Sequence, residues 1–139
     1  MNKFEILTKY IPQIKTDNFG EWIEDHEHDG TIENPNCMPY VQYSDTIDAF
    51  IHDVYRFKDT NKDFELERYR EIMQEYSKEL KCESVVDADP ALLNERCITA
   101  LIMYAMRAEH FCDGALIGFL ESGKMVKWLE RLYEIDNAE

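Results

Sequence analysis

Arg107, Glu109, His110 and Asp113 stand within seven residues of one another. Their types would suit a small catalytic or binding set, with a guanidinium to grip a phosphate or carboxylate and an acid or imidazole to move a proton. The spacing does not require that use. At about 100° per residue, Arg107 and Glu109 point roughly 160° apart around a helix and cannot pair with each other. Each needs a partner on another segment, or water, because an isolated buried charge costs several kcal/mol. The structural expectation is that Arg107 and Glu109 tie their helix to its neighbours while Asp113 caps the next one. The sequence shows no nucleophile with an attendant base and no phosphate-cradling glycine loop, so no catalytic residue is expected.

A second ligand-rich stretch is Asp25-His26-Glu27-His28-Asp29-Gly30-Thr31-Ile32-Glu33. As a calcium loop it has acids at its first, third, fifth and ninth positions and Gly30 at the sixth, but Asn36 replaces the glutamate that should close the loop. Two expected strands flank it where helices are needed. As a zinc site, His26 and His28 lack the two further ligands of a tetrahedral set. The stretch is expected to be an acidic, solvated turn, with no metal and no cofactor.

Charge is the strongest global signal. The chain has 29 acids and 15 bases for a net charge of −14, and between Asp17 and Glu33 it has seven acids and no Lys or Arg. Such a field repels nucleic acid and anionic membrane and attracts basic surfaces. Glu24, Asp25, Glu27 and Asp29 are therefore expected binding residues, joined by Arg107, Glu109 and Asp113 at the other candidate site. The 139 residues make one domain, 1–139, large enough to bury a core without disulfide staples. Cys97 and Cys112 would lie about 22 Å apart on one helix, too far to bond. The four cysteines are expected to be reduced and mostly buried. No run of 18 apolar residues and no signal-peptide pattern is present, so a soluble cytoplasmic protein is expected.

The elements that must position these groups centre on one helix. From Cys97 to Met106 the chain carries no charge, and a helix apolar all round belongs inside a core. It is expected over about 90–112, capped by Asp89, opened by Pro90 and closed by Asp113-Gly114. Phe4, Leu7, Ile11 and Ile14 predict a helix over 3–15, tightened or kinked at Pro12. Ile47, Phe50, Ile51, Val54 and Tyr55 predict another that ends near Phe57, with Asp48, His52, Asp53 and Arg56 facing water. Leu66, Tyr69, Met73, Tyr76 and Leu80 predict a third, and two more follow around Leu116–Leu120 and Met125–Leu132. Aromatic and β-branched runs at about 19–25 and 37–43 predict one two-stranded β-hairpin resting on the helices. The fold class is α+β, mainly helical, with five or six helices around the central buried one.

The strings Phe19-Gly20-Glu21-Trp22, Asp29-Gly30-Thr31, Met38-Pro39-Tyr40, Arg107-Ala108-Glu109 with Phe111-Cys112-Asp113-Gly114-Ala115-Leu116, and Trp128-Leu129-Glu130-Arg131-Leu132 together resemble a family of small uncharacterised bacterial proteins common in Firmicutes and classed as a domain of unknown function. The resemblance covers nearly the whole chain. It implies a cytosolic bacterial or mobile-element protein and supplies no activity. At one position the chain departs from the family pattern, with His110 where an arginine stands, which speaks against a catalytic role there.

The function expected from charge and size is that of a non-enzymatic acidic interaction protein that binds a basic surface of a bacterial partner, in the sharpest form a nucleic-acid-mimicking inhibitor from a mobile element. The alternative is an enzyme or small-anion binder that uses the Arg107–Asp113 region.

Overall fold

Asn94 opens the central helix. Its side-chain oxygen accepts from the Cys97 N–H at 3.0 Å, the bond expected of an N-cap, and the helix α5 then runs Glu95–Phe111. The start expected at Asp89 and Pro90 is corrected. Asp89 does cap, but it closes only the short 3-10 turn Pro90–Leu92 by accepting from Ala91 N–H. Leu93 is then extended and fully buried, which separates the turn from the helix. The computed structural model describes residues 3–16, 19–23, 40–112 and 114–137.

In chain order the elements are α1 (Glu5–Thr8), α2 (Ile11–Thr16), β1 (Gly20–Ile23), β2 (Tyr40–Tyr43), α3 (Asp45–Thr60), α4 (Tyr69–Leu80), α5, α6 (Ala115–Glu121) and α7 (Lys124–Asn137), with four 3-10 turns between them among the described residues. The mainly helical class expected from sequence is what the chain adopts. On α5, every residue from Cys97 to Met103 is buried, as are Ala105 and Met106. The rod packs most extensively on α4, then on α6 and α7. An aromatic knot of Phe4, Phe57 and Phe64, with centroids 5.6–6.2 Å apart, joins the N-terminus to the end of α3. Among the described residues no helix is long and apolar enough to cross a membrane.

Several boundaries differ from expectation for identifiable reasons. The helix expected over 3–15 is two helices. Pro12 has no N–H to give the carbonyl of Thr8, and its ring crowds that carbonyl, so the chain breaks at Lys9-Tyr10 and restarts with the proline in the first turn of α2. Helix α3 continues past Phe57 to Thr60, where Thr60 Oγ1 and Asn61 Nδ2 both donate to the Phe57 carbonyl. Helix α4 starts at Tyr69, because Glu65 is left-handed at φ 53° and sets a 3-10 turn over Leu66–Arg68 before it.

The hairpin expected over about 19–25 and 37–43 is narrower in what is described. Two four-residue strands pair antiparallel, with Gly20 opposite Tyr43 and Ile23 opposite Tyr40. The connection that would make this pair a hairpin, residues 24–39, lies outside the described residues. Gly20 is required at its position: a Cβ there would sit 2.5 Å from the Gln42 carbonyl oxygen and 2.8 Å from the Tyr43 Cα. Phe19 and Tyr43 are half-buried against the helical core and dock the strands on it.

Candidate functional site

The last turn of α5 sends Arg107 and Glu109 to different neighbours, as their spacing requires. Glu109 is the tie that the sequence led us to expect. Its Oε1 accepts from the Tyr43 hydroxyl at 2.5 Å, from Leu116 N–H at 3.0 Å and from Gly114 N–H at 3.0 Å, and its Oε2 accepts from Gly114 N–H at 3.1 Å. One carboxylate thus fastens strand β2 and the start of α6 to the central rod. It also does the work expected of Asp113, which lies outside the described residues. Helix α6 has Gly114 at its cap position, at φ 91°, and glycine brings no side chain to its free N–H groups. The carboxylate from the preceding helix supplies the missing acceptor and the favourable negative charge.

Arg107 departs from expectation. It is partly buried, it lies over the Phe111 ring with its guanidinium carbon 5.8 Å from the centroid, and it has no carboxylate partner among the described residues. The expected tie from Arg107 to a neighbouring acid is therefore absent there. Arg107 instead lines a groove of about 600 Å³ between the ends of three helices. Lys58 reaches it from α3 and Arg70 from α4, with Tyr55, Tyr69 and Phe111 as its aromatic walls. Phe111 is 71% exposed, unusual for a large apolar side chain.

The cations in this groove differ in how well they are satisfied. Arg68 is held by Glu71 and by Glu65, the latter at 3.1 Å. Lys58 has long ion-pair contacts, 3.6 Å to Asp59 and 3.7 Å to Glu67, and its Nζ lies 6.0 Å from the Tyr55 centroid. Arg70 lies 5.7 Å from the Tyr69 centroid and, like Arg107, has no carboxylate partner among the described residues. Lys58 and Arg70 were not singled out from sequence. Nothing in the local pattern says that the end of α3 and the start of α4 meet the end of α5.

The remaining candidates separate cleanly. Glu24, Asp25, Glu27 and Asp29, with His26 and His28, lie outside the described residues. His110 is exposed, its ring edge-on to Phe111 at 5.1 Å. Among the described residues no group of three metal-ligating side chains comes together. Cys82, Cys97 and Cys112 are free thiols. Burial, with a smaller contribution from Cys82, pushes the Cys97 thiol up to about 12, which removes it as a nucleophile near neutral pH. Cys112 is exposed although the cysteines were expected to be mostly buried: α5 ends at Phe111 and Cys112 is extended at φ −146°, so helical periodicity no longer governs it.

A polar cluster lies on the opposite side of α3. Asp53, expected to face water, is 8% exposed. Its Oδ2 accepts from the Tyr10 hydroxyl at 2.5 Å and lies 3.3 Å from Lys9 Nζ. Burial alone would raise the Asp53 carboxyl, but the Tyr10 hydroxyl and the Lys9 ammonium together outweigh it and hold the group below the usual carboxylate value. The same burial, then the bond to Asp53, pushes the Tyr10 hydroxyl up to about 12.

Residues 1–138 match the family of unknown function DUF6508. The chain belongs to that family. Neither the curated proteins nor the solved structures contain a match. Membership in DUF6508 brings no activity with it.

Proposed function

We propose that this DUF6508 protein is a non-enzymatic binding protein that takes an anionic group of its ligand in the groove at the end of α5. The observation that carries this reading is Arg107, a half-buried residue that lines the groove and has no carboxylate partner among the described residues. An unpaired guanidinium in a groove can give an incoming oxyanion charge-assisted, bidentate hydrogen bonds without first breaking an ion pair. The described lining offers no serine, cysteine or histidine to act as nucleophile or as its base, which favours binding over group transfer. Arg107→Ala is expected to leave stability within about 0.5 kcal/mol of the parent, while abolishing the changes that inorganic phosphate induces in the amide NMR signals of the groove. A variant that melts well below the parent would return Arg107 to a structural role and defeat this reading.

A second reading rests on the net charge of −14 and the seven acids between Asp17 and Glu33. On this reading the acidic N-terminal half docks on a basic surface of a partner in the bacterial cytoplasm, and the chain acts as a nucleic-acid mimic encoded by a mobile element. Converting Glu24, Asp25, Glu27 and Asp29 to their amides is then expected to slow association with a strongly basic probe protein and to flatten its salt dependence, with the melting temperature unchanged. Equal capture by parent and variant at low and high salt would reject it.

A further inference from the structure

The groove's charge, size and walls narrow what it can hold. Of the cations in its described lining, Arg68 has Glu65 and Glu71 beside it and Lys58 has Asp59 and Glu67, which leaves Arg70 and Arg107 without a carboxylate partner among the described residues, in a chain whose net charge is −14. Those two unpaired guanidinium groups stand against the global field. The long-range field disfavours a large polyanion such as a nucleic acid, whose many phosphates would meet the acidic remainder of the surface. A small anion avoids this penalty, because it feels chiefly the groups within a Debye length, about 8 Å at physiological salt.

The two arginines of the groove with no carboxylate partner among the described residues come from different helices, Arg70 at the start of α4 and Arg107 near the end of α5. Each presents a planar fork that matches two oxygens of a carboxylate or phosphate. Lys58, whose ion-pair contacts are long at 3.6 Å and 3.7 Å, is a third cation able to turn toward a ligand at little loss. Two forks without carboxylate partners among the described residues fit a dianion better than a monoanion. The volume of about 600 Å³ exceeds what an inorganic oxyanion fills and falls in the range of small-molecule sites. Tyr55, Tyr69 and the 71%-exposed Phe111 provide the faces for the remainder, since aromatic walls favour an apolar or aromatic body.

We infer that the groove takes a small dianion, a phosphate monoester or a dicarboxylate, joined to an aromatic or apolar body. The inference rests on the anion-binding reading of the groove. Phenyl phosphate and phenylsuccinate are the probes that carry both features, inorganic phosphate lacks the body, and benzoate lacks the second charge. Calorimetric titrations at pH 7.5, with amide NMR to locate the binding, are expected to show at least one of the first two binding about tenfold or more tightly than either of the last two. Which of the pair binds tells a phosphate ligand from a dicarboxylate one. Arg70→Ala and Arg107→Ala should each weaken that probe about tenfold or more, and Phe111→Ala should weaken it without changing inorganic phosphate. Lys127→Ala, outside the groove, should change nothing. Phenyl phosphate should also weaken toward pH 5 as its second charge is lost near pH 6. If benzoate or inorganic phosphate binds as well as the dianionic probes, the ligand class is wrong while the anion site stands. If none of the four shifts the signals of Arg70, Arg107 or Phe111, the site and the inference fall together.

Discussion

Glu109→Ala is expected to destabilise the protein by about 3 kcal/mol, which for a domain of this size lowers the melting temperature by roughly 10 °C. The carboxylate accepts from Tyr43, Gly114 and Leu116, and two of these donors are the N–H groups that α6 leaves free at its start. Loss of a helix cap alone costs typically about 1 kcal/mol, and a bond from a neutral donor to a charged acceptor contributes about 1.5–3 kcal/mol. Alanine removes all of these contacts at once and leaves the Tyr43 hydroxyl without this acceptor. Glu109→Gln keeps one acceptor oxygen but loses the charge at the positive end of α6, and is expected to cost about half as much. Urea unfolding gives both values. Hydrogen exchange should show the amides of Gly114 and Leu116 losing protection in the alanine variant. Because Tyr43 shares the same oxygen, Tyr43→Phe combined with Glu109→Ala should cost less than the two single changes added. An alanine variant within 0.5 kcal/mol of the parent would mean that this carboxylate does not hold α6 and β2 to the rod.

What the sequence shows depends on how local the cause is. The uncharged run from Cys97 to Met106 announces a buried helix because burial on all sides follows from composition alone, and that helix is where the run placed it. The divergence of Arg107 from Glu109 follows from helical geometry. The break at Lys9-Tyr10 is also local, since Pro12 acts on the carbonyl four residues back, but the sequence pattern allowed a kink as readily as a break. The start of α5 is not fixed locally, because Asp89-Pro90 and Asn94 are both sound caps, and only the burial of Leu93 in an extended conformation decides between them. The groove was not legible. Lys58, Arg70 and Arg107 are far apart in sequence and meet because three helix ends converge, which no spacing rule reports. Asp53 is the same kind of case. It borders the apolar stripe of α3, and whether a bordering residue meets water depends on what covers that flank, here the segment with Lys9 and Tyr10.

That flank gives the other large effect. Asp53→Ala is expected to cost about 3 kcal/mol near neutral pH, because it removes a carboxylate that accepts from Tyr10 and attracts Lys9, and leaves a buried hydroxyl without its partner. The pH dependence follows from the directions of the two shifts. The Asp53 carboxyl is held below its ordinary value of 3.8 in the folded chain, so its contribution is present above about pH 4 and is lost as pH falls through the lower folded value. The gap between parent and Asp53→Ala should therefore narrow in acid. The Tyr10 hydroxyl is raised from 10.0 to about 12, so its contribution is present below pH 10 and is lost as pH rises from there toward 12. A rise of about two units corresponds to something on the order of 3 kcal/mol. Tyr10→Phe has no proton to lose, so the parent should lose that much more stability than this variant between pH 10 and 12. In Asp53→Ala the alkaline loss should shrink without vanishing, because burial, the largest cause of the Tyr10 shift, remains. Urea unfolding of the three proteins at acid, neutral and alkaline pH measures each limb separately. Parallel curves for parent and Tyr10→Phe above pH 10 would show that the hydroxyl ionises as freely in the folded chain as in the unfolded one, and the buried Tyr10–Asp53 bond would no longer account for the stability of that flank.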